Sequence, residues 1–302
     1  MDGVLVVDKP AGPTSHDIVD RARRVLGTRR IGHTGTLDPF ATGVLPLCVG
    51  RATRLARFLS ATDKEYHARV RLGFATTTDD LTGDPLGAPR PVEFSPALLA
   101  ETLASLVGSF DQVPPAFSAR QVGGRRLYEL ARRGEAVARA ATPVTIRSLT
   151  LVGRADEALE LELVCSAGFY VRALARDLGE RLGTGAHLVA LRRTRSGAFT
   201  LADCVPGDTL VRAEERLMPL AGLLPELPAV RISEEGRRLV GHGRELSAEQ
   251  LLSEFPAPGT ERVRLVDERG ELVALGVPRV FDAPGSGLDR PPTLHADLVL
   301  IG

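Results

Sequence analysis

The sequence predicts an α+β fold around a largely antiparallel central sheet flanked by helices, and three observations carry that expectation. Strand and helix patterns are mixed without the regular strand–helix alternation that a parallel sheet requires. Neighbouring strand candidates are separated by short polar turns, as in hairpins. No repeat or low-complexity tract interrupts the 302 residues, which suffice for one large core or two smaller ones.

In chain order, GVLVVDKP (3–10) reads as a short buried strand ended by Pro10, and Ser15 as the cap of a helix reaching Leu26. Ile18, Val19, Ala22, Val25 and Leu26 follow helical spacing there. RATRLARFL (51–59) reads as a helix with Leu55, Phe58 and Leu59 on one face, and YHARVRLG (66–73) alternates as a strand. Ser95 and Pro96 give the cap and first turn of a helix reaching Leu106. Residues 144–151 and 158–165 form a candidate hairpin, and 170–182 a helix. From Pro206 the pattern loosens: the prolines of LMPLAGLLPELPAV (217–230) suit a linker packed against its neighbours. Two strands around a turn at 268–270 and a third in LHADLVLIG close the chain. The expected division is a first domain 1–205, a linker 206–227 and a β-rich domain 228–302.

Charge is balanced overall, 38 basic against 38 acidic residues, but not along the chain. Windows 20–57, 119–139 and 170–196 together hold 20 of the basic and 6 of the acidic residues, so positive charge is clustered. Only Lys9 and Lys64 are lysine, and guanidinium forks suit phosphate. Such clusters point to a nucleic-acid partner and to salt-sensitive binding. Cys48, Cys165 and Cys204 are odd in number, far apart and free of any CxxC pair, which argues against a disulfide framework or structural zinc. Each reads as a small buried hydrophobe. The absence of an eighteen-residue apolar run and the charged MDGVLVVDKP start lead to the expectation of a cytoplasmic protein with no membrane association.

The most informative stretch is GHTGTLDPFATGVLPLCVG (32–50), which sets Asp38 between small-residue turns with Pro39 at its exit. Small residues let backbone approach a ligand, and proline stiffens the loop. From spacing alone, an aspartate that bonds its own backbone in a turn is the simpler reading. HExxH, the P-loop GK[ST] and Cys/His ligand clusters are all missing from the sequence.

GHTGTLDPFATGVLP resembles the nucleophile motif of the TruB family of tRNA pseudouridine synthases, which act at uridine 55. Further blocks follow in that family's order: VLVVDKPAGPTSHD, KEYHARVRLGFATTTDDLTGD, QVPPAFSA and CSAGFYVRALARDLGERLGTGAHLVALRRTRSGAF. The resemblance implies a pseudouridine synthase catalytic domain with a small PUA-like RNA-binding domain behind it, although residues 228–302 carry 9 basic against 12 acidic side chains. It implies that Asp38 is the nucleophile, that Arg172 holds it ionised, and that Tyr66 stacks on the flipped uracil and takes or relays a proton. By the same resemblance Tyr170 and Leu191 shape the pocket, His33 helps hold the base out of its stack, and Lys9 and Pro10 line the site.

The implied substrate is the T arm of tRNA, with no cofactor, no metal, no obligate protein partner and a monomeric enzyme. Phe117, Gln121 and Ala167 depart from the family's usual tyrosine and two lysines, removing a hydroxyl and two ammonium groups near the RNA path. Two rival classes follow from the residues. One is an RNA-binding or RNA-folding protein whose catalytic site is incidental. The other is an aspartate-nucleophile or metal hydrolase using Asp79, Asp80 and Asp84 near Asp38, although TTTDDLTGD reads more simply as a turn with a solvated acidic face.

Overall fold

The computed structural model describes residues 1–118, 121–122, 125–126, 133, 138–279 and 291–301, with the backbone alone at 121–122 and 125–126. The Gln121 side chain and most of the basic window 119–139 therefore lie outside the described residues.

The N-terminal run forms β1 (Gly3–Lys9), followed by α1 (Ser15–Val25), β2 (Ile31–His33) and β3 (Thr42–Val49). The cap of α1 is Thr14 rather than Ser15: its hydroxyl accepts from the Asp17 N–H while the Asp17 carboxylate accepts from the Thr14 N–H. Ser15 is turned inward, to a role described below. The expected helix over 51–59 is divided: a 3-10 turn, Gly50–Leu55, precedes a short α2 (Ala56–Ser60). Leu55, Phe58 and Leu59 still face one core.

Next come β4 (Lys64–Leu72), the two-residue strands β5 (Ala75–Thr76) and β6 (Pro85–Leu86), α3 (Pro96–Ser105) and β7 (Gly108–Gln112). Ser95 caps α3 with Pro96 in its first turn, as the sequence predicts. A small pair, β8 (Gln121–Val122) and β9 (Arg125–Arg126), leads to β10 (Thr142–Ala155) and β11 (Ala158–Cys165). The last two are the expected hairpin, turned at Asp156 with φ +51°. α4 (Val171–Arg181), β12 (Ala186–Ser196), β13 (Phe199–Thr200) and β14 (Val205–Pro206) complete the large sheet.

Ten strands join in that sheet, in the order β14-β1-β3-β12-β4-β11-β10-β7, with β2 on β3 and β13 on β12. Only the β1–β14 and β3–β12 pairs are parallel, so the sheet is mostly antiparallel, as expected. Strand period explains its layering. Leu5 and Val7 of β1 pack with Ile18, Val19 and Ala22 of α1, while Val4 and Val6 face a second core. Along β4, Tyr66, Ala68, Val70 and Leu72 are buried, whereas Arg69 and Arg71 are exposed on the other face.

Residues 206–227 are packed rather than free. Met218 exchanges two backbone hydrogen bonds with Val4, both 2.9 Å, and Leu210, Leu220, Leu223 and Leu224 are buried. Beyond them, β15 (Ala229–Arg231), α5 (Glu234–Gly241), β16 (Val263–Val266), β17 (Leu272–Arg279) and β18 (Thr293–Val299) build a separate four-stranded sheet. It encloses its own core of Val230, Val240, Leu265 and Leu294, while Leu272, Leu275 and Leu300 join the core behind β1 and β3. Among the described residues, no helix is long and apolar enough to cross a membrane.

Candidate active site

Asp38 sits on the connection from β2 to β3, and that loop is pinned from three sides. The Ser15 hydroxyl accepts from the Leu37 N–H at 2.8 Å and donates to the Leu37 carbonyl at 3.1 Å. Lys9, wholly buried, donates to the carbonyls of Ala41 at 2.7 Å, Pro10 at 2.9 Å and Pro39 at 3.1 Å. Arg193 donates to the Gly35 carbonyl at 3.1 Å. Gly43 closes the loop where β3 meets β12: with φ +102°, any Cβ there would collide with the Arg193 backbone carbonyl. Loop and sheet thus fix the backbone of Asp38 before its side chain makes any contact.

Its partner is Arg172, in the first turn of α4. The guanidinium donates to Asp38 Oδ1 at 2.9 Å, to the Phe117 carbonyl at 2.9 Å and to the Thr78 carbonyl at 3.2 Å. Asp80 Oδ2 lies 3.5 Å away on the far side. The Arg172 side chain is 6% exposed against 29% for Asp38, so a buried cation presents a carboxylate that remains accessible. Burial lifts the Asp38 carboxyl above its ordinary range; Arg172 opposes that shift and Asp80 adds to it.

The segment TTTDDLTGD is only in part a solvated acidic face: Asp84 is exposed, but Asp79 and Asp80 turn inward. Asp80 is 4% exposed, accepting from the Thr78 hydroxyl at 2.7 Å and from the Thr82 N–H and hydroxyl at 2.9 and 2.6 Å. Asp79 pairs with Arg176 at 3.1 Å. Both carboxylates are drawn in by arginines of α4, a demand that lies 92 and 97 residues downstream and that no local pattern carries. Among the described residues there is no group of acidic, histidine and cysteine side chains placed to hold a metal.

Asp38, Tyr66, Tyr170, Arg172 and Leu191 border one cavity of about 560 Å³. Cross-strand register brings them there: Leu191 lies opposite Ala68 and Arg193 opposite Tyr66 in the β4–β12 pair. Gln112 fixes Tyr170 by accepting from its N–H at 2.9 Å and donating to its carbonyl at 3.1 Å. Burial raises the Tyr66 phenol above its usual range, and the Arg193 guanidinium facing it opposes that shift, so the phenol is protonated. His33 precedes the lining, which begins at Thr34; half-buried, it accepts from the Gly35 N–H through Nδ1 at 3.3 Å. Lys9 and Pro10 lie outside this cavity, behind the loop, and border a smaller one. Phe117 meets Arg172 through its carbonyl, independent of its side chain, and Ala167 is part of the cavity wall.

Two further cations border the cavity and were not singled out from sequence: Lys64 and Arg193. Lys64 donates to the carbonyls of Ser60 and Thr62, both at 2.5 Å, and burial lowers its pKa to about 8. The available signal was rarity, since both lysines of an arginine-rich chain prove to be buried carbonyl clamps. The cysteines are no nucleophiles: burial pushes each thiol up to about 12, with Cys48 and Cys165 buried and Cys204 half-buried.

Sheet order, loop and carboxylate–guanidinium pair together define a pseudouridine synthase fold. The architecture is similar to the crystal structure of a Cbf5–Nop10–Gar1 complex, with TM-score 0.72 and 26% identity over 99% of this chain and 85% of that one. Residues 23–171 match the TruB family pseudouridylate synthase N-terminal domain, and 172–220 the tRNA pseudouridylate synthase B C-terminal domain. tRNA pseudouridine synthase B of Thermobifida fusca is 47% identical over 98% of this chain and 99% of that protein. The protein of the same name from Ralstonia nicotianae is 45% identical over 91% and 89%. The chain belongs to the TruB family of pseudouridine synthases, which are isomerases.

Proposed function

We propose that the protein converts uridine to pseudouridine in tRNA, at position 55 of the T arm, with Asp38 as nucleophile on a base flipped into the cavity. The observation that carries this reading is the Asp38–Arg172 pair in the wall of a cavity of nucleotide size, in a chain whose relatives bear the name tRNA pseudouridine synthase B. The reaction breaks the N-glycosidic bond, turns the uracil and rejoins it through carbon. No redox step or external group enters, so the chemistry calls for a nucleophile, a route for one proton and a dry pocket.

Arg172 supplies the counter-charge that makes a carboxylate available where burial opposes one. Tyr66, protonated, relays a proton rather than accepting one outright. Tyr170 and Leu191 exclude water, and His33, one residue before the lining, fills the space the extruded base leaves. Lys9 acts from behind by fixing the loop, and Pro10 accepts from the same ammonium through its carbonyl. Residues 1–205 form the catalytic domain, 206–227 join it to the tail, and 228–302 are a PUA-like appendage. The enzyme acts alone, as a cytoplasmic monomer without cofactor.

The test is mass-resolved pseudouridine mapping of defined tRNA transcripts. The wild-type protein yields pseudouridine at position 55, and Asp38→Asn yields none while still binding the RNA. Product at the wild-type rate from Asp38→Asn, or product only at other positions, refutes the reading. Binding without any product by the wild-type protein leaves the RNA-binding class in its place.

A further inference from the structure

β12 carries three arginines close together, and their surroundings differ. Arg192 meets Asp8 at 2.8 Å and Arg195 meets Glu65 at 2.6 Å. Arg193, between them, is 1% exposed and donates to the carbonyls of Val44 at 2.6 Å and Gly35 at 3.1 Å. It faces the Tyr66 phenol, to which register places it directly opposite, and it borders the same cavity as Asp38. The groups it bonds or faces are neutral, and the buried Lys9 and Lys64 nearby add positive charge of their own. Among the described residues no carboxylate pairs with Arg193, whereas Arg172 has two close by.

A buried cation without a counter-ion is costly, and two carbonyls could be bridged by a neutral donor instead. The uncompensated charge therefore needs a reason, and the cavity supplies one. An arginine has no acceptor, so the phenol can offer it only oxygen. The Tyr66 hydroxyl hydrogen then points away from Arg193, toward whatever occupies the cavity.

The reaction puts negative charge on the base by either route. If Asp38 attacks the sugar, the C1′–N1 bond breaks and its electron pair leaves with the uracil as an anion. If Asp38 attacks C6 of the ring, the C5–C6 π pair moves toward the C4 carbonyl as an enolate. In the first route C5 then attacks C1′ and displaces the Asp38 carboxylate, after which C5 loses its proton and N1 gains one; in the second, C5 attacks C1′ as the C1′–N1 pair leaves with N1, which takes a proton, and loss of the C5 proton expels the Asp38 carboxylate from C6. Nothing beyond the uridine, Asp38 and one proton is required.

We propose that Arg193 is a positioning residue for this isomerisation: it turns the Tyr66 hydroxyl toward the bound base and supplies the positive field that stabilises the base while it is anionic. The inference rests on the synthase reading above and names the groups that serve its charged intermediate. Arg172 cannot fill this role, because its fork is occupied by Asp38, Phe117 and Thr78.

The experiment compares wild type, Arg193→Met, Arg193→Lys, Tyr66→Phe and the Arg193→Met/Tyr66→Phe double variant. Single-turnover rates are read on a T-arm transcript with enzyme in excess, and RNA affinity by anisotropy. Arg193→Met is expected to slow turnover about 100- to 1,000-fold, the usual loss on removing a preorganised donor. RNA affinity stays within about threefold, Arg193→Lys recovers at least about tenfold, and the double variant is no slower than the slower single because the two groups act as a unit. An Arg193→Met rate within about threefold of wild type, a loss matched by weaker RNA binding, absence of recovery in Arg193→Lys, or multiplying losses in the double variant would each overturn the proposal. Should Arg193→Met not fold, Tyr66→Phe decides alone: a rate within about twofold of wild type overturns it, and a loss above about tenfold at unchanged affinity upholds it. A wild-type protein that makes no pseudouridine would instead remove the synthase reading itself.

Discussion

Replacing Ser15 by alanine removes one oxygen atom and should cost more than replacing the helix cap beside it. Among the described residues the Ser15 hydroxyl is the partner of both polar groups of Leu37's backbone, at 2.8 and 3.1 Å, and the two residues are 2% and 3% exposed. Alanine leaves that N–H and carbonyl unpaired in the interior, at roughly 1–3 kcal/mol each. Alanine's better helix propensity returns only about 0.5 kcal/mol. The expected net loss is about 1.5–5.5 kcal/mol, read as a lower urea midpoint with unchanged slope by far-UV circular dichroism. Leu37 precedes Asp38, so a loop shift of even ~1 Å should also slow single turnover by roughly 100-fold. Thr14→Ala is the control: it breaks an exposed capping box, should cost about 1 kcal/mol and should leave the rate alone. If Ser15→Ala is no less stable than Thr14→Ala and turns over at the wild-type rate, the assignment of Ser15 as the anchor of the Asp38 loop is wrong.

If Asp38 is the nucleophile proposed above and so acts as the anion, its burial-raised pKa means that kcat/KM should fall on the acid side at a pH above the ordinary carboxylate value, and Asp80→Asn should move that limb to lower pH. A limb that stays in place in Asp80→Asn would show that Asp80 does not reach Asp38 electrostatically. Lys9 is lowered from 10.5 to about 8 by burial, so the unfolded chain binds more protons through that window and stability should rise as pH climbs from 8 to 10.5. The share from Lys9 is about 3 kcal/mol at most, and denaturation across that range should show it missing in Lys9→Met; parallel curves for the two proteins would refute it. Gly43→Ala should destabilise by about 3 kcal/mol or more, since the parallel β3–β12 contact must open to admit a Cβ, and a wild-type thermal midpoint would contradict the close approach.

How much of this was readable from sequence depends on whether a feature is local. Strand alternation, the Ser95–Pro96 cap and the hairpin of β10 and β11 are set by residues a few positions apart, and they stand where the sequence puts them. The Thr14 cap was readable too, since Asp17 stands three residues later, but Ser15 offers the same local chemistry and only the distant Leu37 peptide decides between them. Asp80 departs from its local pattern for a comparable reason. An acidic, threonine-rich turn is usually solvated, and what buries this one is Arg172, 92 positions on in sequence. The lysines did carry a signal. Where nearly every cation is arginine, two retained ammonium groups mark places where a compact donor must meet carbonyls converging on a point, which a planar fork cannot do.

The run Leu191-Arg192-Arg193-Thr194-Arg195 shows the limit of such reading. In a regular strand alternate residues share a face, so Arg193 and Arg195 should stand together. The register instead shifts between them, pairing Arg193 with Tyr66 and Arg195 with Glu65, and a second shift lies between Leu188 and Ala190. The first irregularity sends Arg195 outward to a carboxylate while Arg193 stays inside without one. Nothing in the letters RRTR announces a bulge, yet that one extra residue separates a solvent-facing ion pair from a buried charge at the cavity. Deleting Thr194 should therefore remove the bulge and leave both arginines in place: Arg195 would follow Arg193 directly, and regular alternation then keeps it outward opposite Glu65 while Arg193 stays inside.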